Sequence, residues 1–213
     1  MGKALVLAML VALPARADTV TIAALGDSLT QGYGLVQEEG FVPQLQGWLA
    51  ARGHAVAVIN AGVSGDTTAG GLSRIGWTLT PDVDALIVAL GGNDLLRGLP
   101  PEASRANLEG ILQAAATAGV PVLLVGMEAP GNYGPEFKAA FDAIYPDLAA
   151  QYGALHADSF LGPLMDAAEA DSRAALARYM QADGIHPNAE GVGLIVDALG
   201  PLVENLIALV PQS

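Results

Sequence analysis

The sequence predicts a single α/β domain, built as a three-layer α/β/α sandwich around a central, mostly parallel sheet. Two observations lead to this prediction. Short β-branched or aliphatic runs alternate along the chain with longer amphipathic segments, which is typical of parallel βαβ units. In addition, a chain of 213 residues can bury one sizeable core, and no repeat, low-complexity tract or change of composition marks a linker.

The predicted strands are runs of nearly continuous apolar character, as expected for strands that helices cover on both faces. They lie at residues 20–25, 55–60, 85–90 and 120–125. The predicted helices are longer segments whose apolar residues recur with helical spacing. They lie at residues 41–52, 67–78, 103–118, 135–152 and 167–180, with a last helix at about 188–209 and Asn188 as its N-cap.

The first 17 residues are predicted to be a secretory signal, which leaves residues 18–213 as the folded domain. Lys3 precedes the apolar run 4–13, and Ala15-Arg16-Ala17 forms an A-x-A pattern with cleavage after Ala17. The alternative is a buried N-terminal helix or a membrane anchor, but the run is shorter than the roughly 20 residues that span a bilayer. We therefore expect a periplasmic or secreted protein with no stable membrane insertion after removal of the signal.

The charge of the chain argues against nucleic-acid partners. The formal charge is -13, and loss of Lys3 and Arg16 with the signal would take it to -15, since residues 1–17 contain no Asp or Glu. Such a surface repels phosphate backbones and anionic lipids, which bind to clustered Lys and Arg. The chain has no cysteine, so packing has to stabilise it without disulfides.

Ser28 is the candidate nucleophile. It follows the first predicted strand in "AALGDSLTQGYG", residues 23–34, where an apolar run ends abruptly in a glycine and polar residues. Ligands of an open parallel sheet bind outside the carboxyl ends of the strands, so this corner would present a hydroxyl to a ligand. Ser64 also lies next to a glycine at a strand end and is a rival nucleophile, because spacing alone does not separate the two.

A nucleophilic serine needs a base to remove its proton, and the chain has 3 histidines. His54 lies at a predicted helix end, where a cation meets the helix dipole favourably, and His156 has no motif around it. His186 stands in "ADGIHPNAEG", three residues after Asp183, which can accept its Nδ1 proton and leave Nε2 free for the serine. An N-capping loop for the last helix is the alternative interpretation of this segment, and both can hold together.

Loops after two other strands offer hydrogen-bond donors for the oxyanion of acyl transfer. Gly65 lies in "NAGVSGDTT", where the missing Cβ lets a backbone N–H approach a ligand, and Asn93 lies in "LGGNDLLRG" with a side-chain amide. Taken singly, each segment is ordinary turn chemistry. The longest irregular stretch, residues 128–135, is either a plain connector or a loop that lines a site. The combination of three such strand-end loops with His186 indicates a serine hydrolase.

These four segments resemble the sequence blocks of the GDSL or SGNH hydrolase family. "GDSL" begins at Gly26, the second-block glycine is Gly65, "GGND" begins at Gly91 and "DGIH" ends at His186. "LGGNDLLRG", "GNYG", "AIYP" and "DGIHPN" are similar to the exported bacterial branch called arylesterase, thioesterase I or lysophospholipase. The resemblance spans nearly the whole mature chain and implies the flavodoxin-like fold of that family.

The resemblance implies hydrolysis of carboxylic esters and thioesters through an acyl-enzyme. In that case Ser28 is the nucleophile, His186 is the base and Asp183 orients the base. The oxyanion hole would consist of the backbone N–H groups of Ser28 and Gly65 and the side chain of Asn93. We expect a monomer that acts on a small-molecule acyl ester or thioester.

By the same analogy the segment 126–134 borders the acyl pocket, through Met127, Pro130 and Tyr133. Its apolar side chains favour an acyl chain over a sugar, so a carbohydrate O-deacetylase on the same scaffold is the first alternative. A non-catalytic lipid or ester binder is the second, although binding alone would not need a serine, a histidine and an aspartate. Neither a metal nor a cofactor is expected. The sequence has no HExxH motif and no Cys-His cluster, and neither GxxxxGK nor GxGxxG follows a predicted strand.

Overall fold

The computed structural model describes residues 19–168 and 176–211, where five parallel strands form a sheet in the order β2-β1-β3-β4-β5. The strands are β1 (Val20–Gly26), β2 (Val56–Gly62), β3 (Ala85–Ala89), β4 (Val122–Val125) and β5 (Leu155–Ala157). In this flavodoxin-like order the topological switch point lies between β1 and β3. The predicted fold class is confirmed.

The strands differ in burial according to their place in the sheet. All of β3 is buried, and so is β1 from residue 22 onwards, which explains their uninterrupted apolar sequence. β2 is an edge strand, and the Gln46 side chain pairs with its backbone by donating to Val56 O and accepting from Val58 N, each at 2.8 Å. β5 is the other edge and has only three residues, so the sequence does not predict it.

Helices cover both faces of the sheet. They are α1 (Ser28–Gln31), α2 (Phe41–Ala51), α3 (Thr68–Thr78), α4 (Gly92–Leu96), α5 (Pro101–Ala118), α6 (Pro135–Asp142), α7 (Ile144–Tyr152), α8 (Gly162–Ala167) and α9 (Ala189–Ala208), with 3-10 turns at Gln37–Glu39 and Gly131–Tyr133. α2 and α9 pack together on one face, and α3, α5 and α7 pack in a row on the other. The predicted cap of α9 is present, because Asn188 Oδ1 accepts from Gly191 N at 3.0 Å.

α9 is long and apolar enough to cross a membrane by length and composition. Its apolar stripe, which includes Ile195, Val203 and Leu206, is instead buried in the core of the domain. A core helix of a globular protein has the same composition, so this helix gives no argument for membrane insertion.

The predicted helix at residues 135–152 is wrong in one respect, because two helices occupy this segment. α6 ends at Asp142 and α7 begins at Ile144. Pro146 explains the break, since it has no N–H to donate and its ring would clash with the carbonyl of Asp142 four residues earlier.

The predicted helix at residues 167–180 also differs from the structure. α8 (Gly162–Ala167) ends where the predicted helix begins, residues 176 and 177 are helical as predicted, and residues 178–180 are not helical. Asn188 explains the change of direction, because its Nδ2 donates to Arg178 O at 2.7 Å and its backbone N donates to Tyr179 O at 2.9 Å. Residues 169–175 of this predicted helix, and the predicted signal at residues 1–17, lie outside the described residues.

The fold brings the ends of three strands together. Gly26 at the end of β1 pairs in register with Gly62 of β2 and with Ala89 of β3. A Cβ at Gly62 would overlap the backbone of Gln31, so a glycine there lets α1 cross the end of β2. The segments after β1, β2 and β3 therefore meet at one edge of the sheet.

Candidate active site

Ser28 lies immediately beyond β1 as the first residue of α1. Asp27 is the N-cap of this helix, and its Oδ1 accepts from Leu29 N at 3.0 Å. The chain passes from strand to helix at this single residue, so the Ser28 side chain stands at the carboxyl edge of the sheet.

A continuous chain of hydrogen bonds joins Ser28, His186 and Asp183. Ser28 Oγ lies 2.8 Å from His186 Nε2, and His186 Nδ1 lies 2.7 Å from Asp183 Oδ2. An ionised carboxylate can only accept, so Nδ1 carries a proton and Nε2 presents its lone pair to the Ser28 hydroxyl. This is the arrangement in which a histidine can activate a serine as a nucleophile.

The loop before α9 holds the Asp183 carboxylate in place. Asp183 Oδ1 accepts from the backbone N of Ile185 at 2.9 Å and of His186 at 3.0 Å. The bond from the His186 ring, together with these two backbone bonds, lowers the pKa of Asp183 to about 2. The carboxylate therefore stays ionised over the whole neutral and mildly acidic range.

Two further residues hold His186 in place, one against its ring and one along its backbone. The ring of Tyr33 lies over it, with the ring centroids 4.6 Å apart and the planes inclined by 37°. Gln181 Nε2 donates to Tyr33 O at 2.8 Å and to Pro187 O at 2.9 Å, and Gln181 N donates to His186 O at 2.8 Å. Neither residue was predicted to belong to the site, because their contact with His186 depends on the tertiary fold.

Asn93 reaches the same corner through Asp27. Asn93 Nδ2 donates one proton to Asp27 Oδ2 at 3.1 Å, which leaves the other proton of the amide for a ligand. Asp27 is 2% exposed, and this burial raises the pKa of its carboxyl to about 6, although the bonds from Leu29 and Asn93 act in the opposite direction. Asp27 lies in the GDSL segment but was not predicted to have a role of its own. The signal that could have found it is an acidic residue directly after an apolar run.

Asp94 anchors the helix that carries Asn93. Its Oδ2 accepts from Thr68 N at 2.9 Å, and its Oδ1 accepts from Thr68 Oγ1 at 2.6 Å and from Ser104 Oγ at 2.9 Å. All three side chains are buried, and they join the beginnings of α3, α4 and α5. The position of Asn93 is therefore tied to the segment after β2.

Gly65 lies in a turn after β2 that is closed by a bond from Asp66 N to Val63 O at 3.0 Å. Its φ of +81° favours glycine, and its carbonyl accepts from Arg97 Nη2 at 2.7 Å. Its neighbour Ser64, the rival nucleophile, donates from Oγ to Gln31 Oε1 at 3.0 Å. Ser64 makes no hydrogen bond to a histidine in the part of the chain that the structure describes.

The other two histidines have carboxylate neighbours away from this corner. His54 Nε2 lies 2.8 Å from Glu204 Oε1, and His156 Nδ1 lies 3.5 Å from Asp158 Oδ1. Burial lowers the pKa of His156, so its imidazole is held neutral more strongly than that of a free histidine. Neither contact involves Ser28.

An apolar cavity of about 830 Å³ opens beside Ser28, Asn93 and His186. The residues that line its apolar part include Met127, Pro130, Tyr133, Leu161, Leu164 and Met180. The loop at residues 128–135 thus forms one wall of the cavity and is more than a connector. A volume of this size is typical of sites that enclose a small molecule.

Comparison with known proteins gives matches over most of the chain. A model of the GDSL-like lipase/acylhydrolase family matches residues 24–194. The Esterase TesA of Pseudomonas aeruginosa is 37% identical over 199 residues, which cover 93% of this chain and 94% of TesA. The Thioesterase 1/protease 1/lysophospholipase L1 of Escherichia coli is 34% identical over 194 residues, 91% of this chain and 86% of its own length. The structure of AlinE4, an SGNH-hydrolase family esterase, is 43% identical with a TM-score of 0.72, and the match covers 89% of this chain and 97% of AlinE4.

Proposed function

Since this chain belongs to the GDSL-like lipase/acylhydrolase family and is an ester hydrolase, we propose that it cleaves carboxylic esters and thioesters through Ser28, His186 and Asp183. The observation that carries the proposal is the unbroken chain of bonds from Asp183 through His186 to Ser28 Oγ. It ends at the mouth of the apolar cavity, where an acyl group would lie.

In the first step Ser28 Oγ attacks the carbonyl carbon of the substrate while His186 Nε2 takes the hydroxyl proton. The resulting imidazolium is stabilised by the Asp183 carboxylate, which bonds Nδ1 at 2.7 Å. Collapse of the tetrahedral intermediate breaks the bond to the leaving group, and His186 returns the proton to the departing alcohol or thiol. The acyl group is now esterified to Ser28.

In the second step water replaces the leaving group. His186 Nε2 takes a proton from the water as it attacks the acyl carbon, and the proton is then given back to Ser28 Oγ as the acid leaves. The same base serves both steps, so the fold has to hold His186 in one orientation throughout. The Tyr33 ring and Gln181 supply that restraint.

The negative charge of the tetrahedral intermediate would be stabilised by the backbone N–H groups of Ser28 and Gly65 and by Asn93 Nδ2. The segments that carry these donors meet at the ends of β1, β2 and β3. Removal of one donor of this kind costs about 3 kcal/mol of transition-state stabilisation in enzymes of similar chemistry.

The cavity supports an acyl chain as the part of the substrate that is recognised. Met127, Pro130 and Tyr133, which were expected at an acyl pocket, are all in its lining. Few charged groups face it, and an apolar chain gains about 0.8 kcal/mol for each buried CH₂. We therefore propose fatty esters, acyl thioesters and lysophospholipids as the substrate class, with the alcohol or thiol part outside the cavity.

The experiment that tests this proposal is kcat/KM over p-nitrophenyl esters from acetyl to palmitoyl, with an acyl thioester and a lysophospholipid included. We expect kcat/KM to rise with chain length until the cavity is full. Leu161→Trp, which adds volume to the cavity wall, should lower kcat/KM for long chains by about 10-fold or more and leave acetyl esters nearly unchanged. Leu161→Met, which conserves volume, is the matched control.

A profile that does not depend on chain length, with the same loss for acetyl and palmitoyl esters in Leu161→Trp, would contradict the assignment of the cavity. Activity on acetylated sugars with none on aryl or fatty esters would favour the carbohydrate deacetylase. Binding without turnover of any ester would favour the non-catalytic binder.

The dependence of kcat/KM on pH should report the ionisation of Asp27. Protonation of Asp27, whose pKa is about 6, removes the charge that orients Asn93 Nδ2. We expect kcat/KM to fall as the pH is lowered below about 6. Asp183, with a pKa of about 2, stays ionised and does not contribute to this limb.

Asp27→Asn is the variant that tests this assignment. Asparagine does not ionise in this range, so the contribution of Asp27 to the acid limb should disappear. Its single amide oxygen can still cap α1, but its NH₂ group then faces Asn93 Nδ2 in place of an acceptor, so kcat/KM should also be lower at neutral pH. Unfolding does not explain the fall at low pH, because the pKa of Asp27 is raised in the folded state and its protonation favours folding. The same acid limb in the wild type and in Asp27→Asn would show that Asp27 does not titrate in this range.

We also propose that the protein is exported, with residues 1–17 removed after Ala17. The support is the sequence pattern alone: a basic residue, the apolar run 4–13 and an A-x-A site. The mature esterase would then act in the periplasm or outside the cell.

A further inference from the structure

Arg74 uses all three nitrogens of its guanidinium on three different segments. It lies on α3, and its side chain is 21% exposed. Nε donates to Asp66 Oδ2 at 2.7 Å, Nη1 donates to Ala61 O at 2.6 Å and Nη2 donates to Gly26 O at 2.8 Å. The partners are thus the last residue of β1, the end of β2 and the turn after β2.

These partners are next to the proposed oxyanion donors. Gly26 precedes Ser28 by two residues, and Asp66 directly follows Gly65. The amides of Ser28 and Gly65 belong to different strand ends, and both have to point at one oxygen atom. The Arg74 side chain bonds to both strand ends and so links the two segments that carry these amides, in addition to the backbone bond from Val63 N to Gly26 O at 3.1 Å.

A second arginine, Arg97, also binds the turn at residues 63–66. Arg97 Nη2 donates to Gly65 O at 2.7 Å, and Arg97 follows α4, which carries Asn93. The chain has only 9 Lys and Arg against 22 Asp and Glu, yet two of these few basic residues bind the turn at residues 63–66. Solubility does not require them there, because the acidic surface already repels other copies of the chain.

We propose that Arg74 is a positioning residue that sets the Gly65 amide against the Ser28 amide, an inference that depends on the function proposed above. Hydrogen bonds from a charged planar donor are short and directional, so the guanidinium fixes both distance and angle. A lysine in its place could keep the bond to Asp66 but could not reach two carbonyls as a fork. The loss should affect stabilisation of the tetrahedral intermediate and not substrate binding in the cavity.

The test compares Arg74→Lys and Arg74→Met with the control Arg105→Met. The control removes a guanidinium of α5 that pairs with Asp147 of α7 at 3.1 Å. Active sites are first titrated with an aryl phosphonate, so that kcat refers to folded, reactive enzyme only. We expect kcat to fall by about 10- to 100-fold in both Arg74 variants, with KM within about 3-fold of the wild type. Arg105→Met should keep both parameters.

A second readout is the Kd of an alkyl boronic acid, which forms a tetrahedral anion on Ser28. The boronate should bind more weakly in the Arg74 variants by the same factor as the fall in kcat, whereas a fatty-acid product should bind equally well. If Arg74→Met does not fold, Arg74→Lys and Asp66→Asn test the proposal in its place, since each removes part of the same contact.

A wild-type kcat per titrated site and an unchanged boronate Kd in Arg74→Lys would overturn the proposal, even if the melting temperature falls. Such a result would mean that Arg74 only stabilises the fold. Failure of the wild-type enzyme to react with phosphonate at Ser28 would instead refute the proposed function, so the two failures are distinguishable.

Discussion

Ser28→Ala should abolish ester hydrolysis, with a fall in kcat of about 10⁵-fold or more. The variant keeps the cavity and the oxyanion donors but has no atom to form the acyl-enzyme. The Ser28 side chain bonds only to His186 among the described residues, so the fold should not change. The measurement is hydrolysis of a p-nitrophenyl ester, with binding of a fatty-acid product as evidence that the cavity is intact.

Ser64→Ala is the matched control for this prediction. Ser64 is the other serine beside a glycine at a strand end, but its Oγ bonds to Gln31. We expect Ser64→Ala to keep kcat within about 3-fold of the wild type, as for most substitutions outside the reacting groups. Residual activity above about a tenth in Ser28→Ala, or a collapse of activity in Ser64→Ala, would reassign the nucleophile.

His186→Ala should lower kcat by about 10⁴- to 10⁶-fold, because Ser28 then has no base to take its proton. The double variant with Ser28→Ala should be no slower than either single variant, since both side chains act on the same proton transfer. The imidazole stands at the edge of the sheet between Tyr33 and Asp183, so its removal leaves the core untouched. Circular dichroism and the melting temperature would check this.

His54→Gln is the control for loss of a histidine. His54 pairs with Glu204 and does not contact the serine, so activity should persist. A His186→Ala enzyme with more than about a tenth of wild-type kcat would mean that another group is the base.

The sequence predicts the layers of this fold well because the central strands are buried on both faces. β3, and β1 from residue 22 onwards, are uninterrupted apolar runs, which is the composition expected of strands that helices cover on both faces. β5 was not predicted, because it has only three residues, one of which is His156, and so it forms no apolar run. Pro146 was the signal for the break between α6 and α7, since proline disfavours a continuous helix, although α9 continues through Pro201.

The contacts of the site also differ in how far they could be predicted from the sequence. Asp183 and His186 are three residues apart, so their bond depends on one loop and can be inferred from the sequence. The contact of Ser28 with His186 joins residues 158 positions apart. It was inferred from the place of Ser28 at a strand end, from the carboxylate three residues before His186, and from the resemblance to the GDSL or SGNH family.

The contacts that orient the site were not predictable from the sequence. Arg74 reaches two strand carbonyls, Tyr33 covers an imidazole and Asp94 is buried between three helices. Each contact depends on side-chain directions in the folded protein. No spacing within the chain encodes them, so they appear only when the structure is in hand.

The most direct test of the proposed mechanism is the mass of the protein after reaction with a p-nitrophenyl alkylphosphonate, followed by peptide mapping. We expect one phosphonyl group per chain, located on Ser28, with activity lost in proportion to the nitrophenolate released and no adduct in Ser28→Ala. An adduct on Ser64, or an unmodified protein that still hydrolyses esters, would contradict the assignment of Ser28 as the nucleophile.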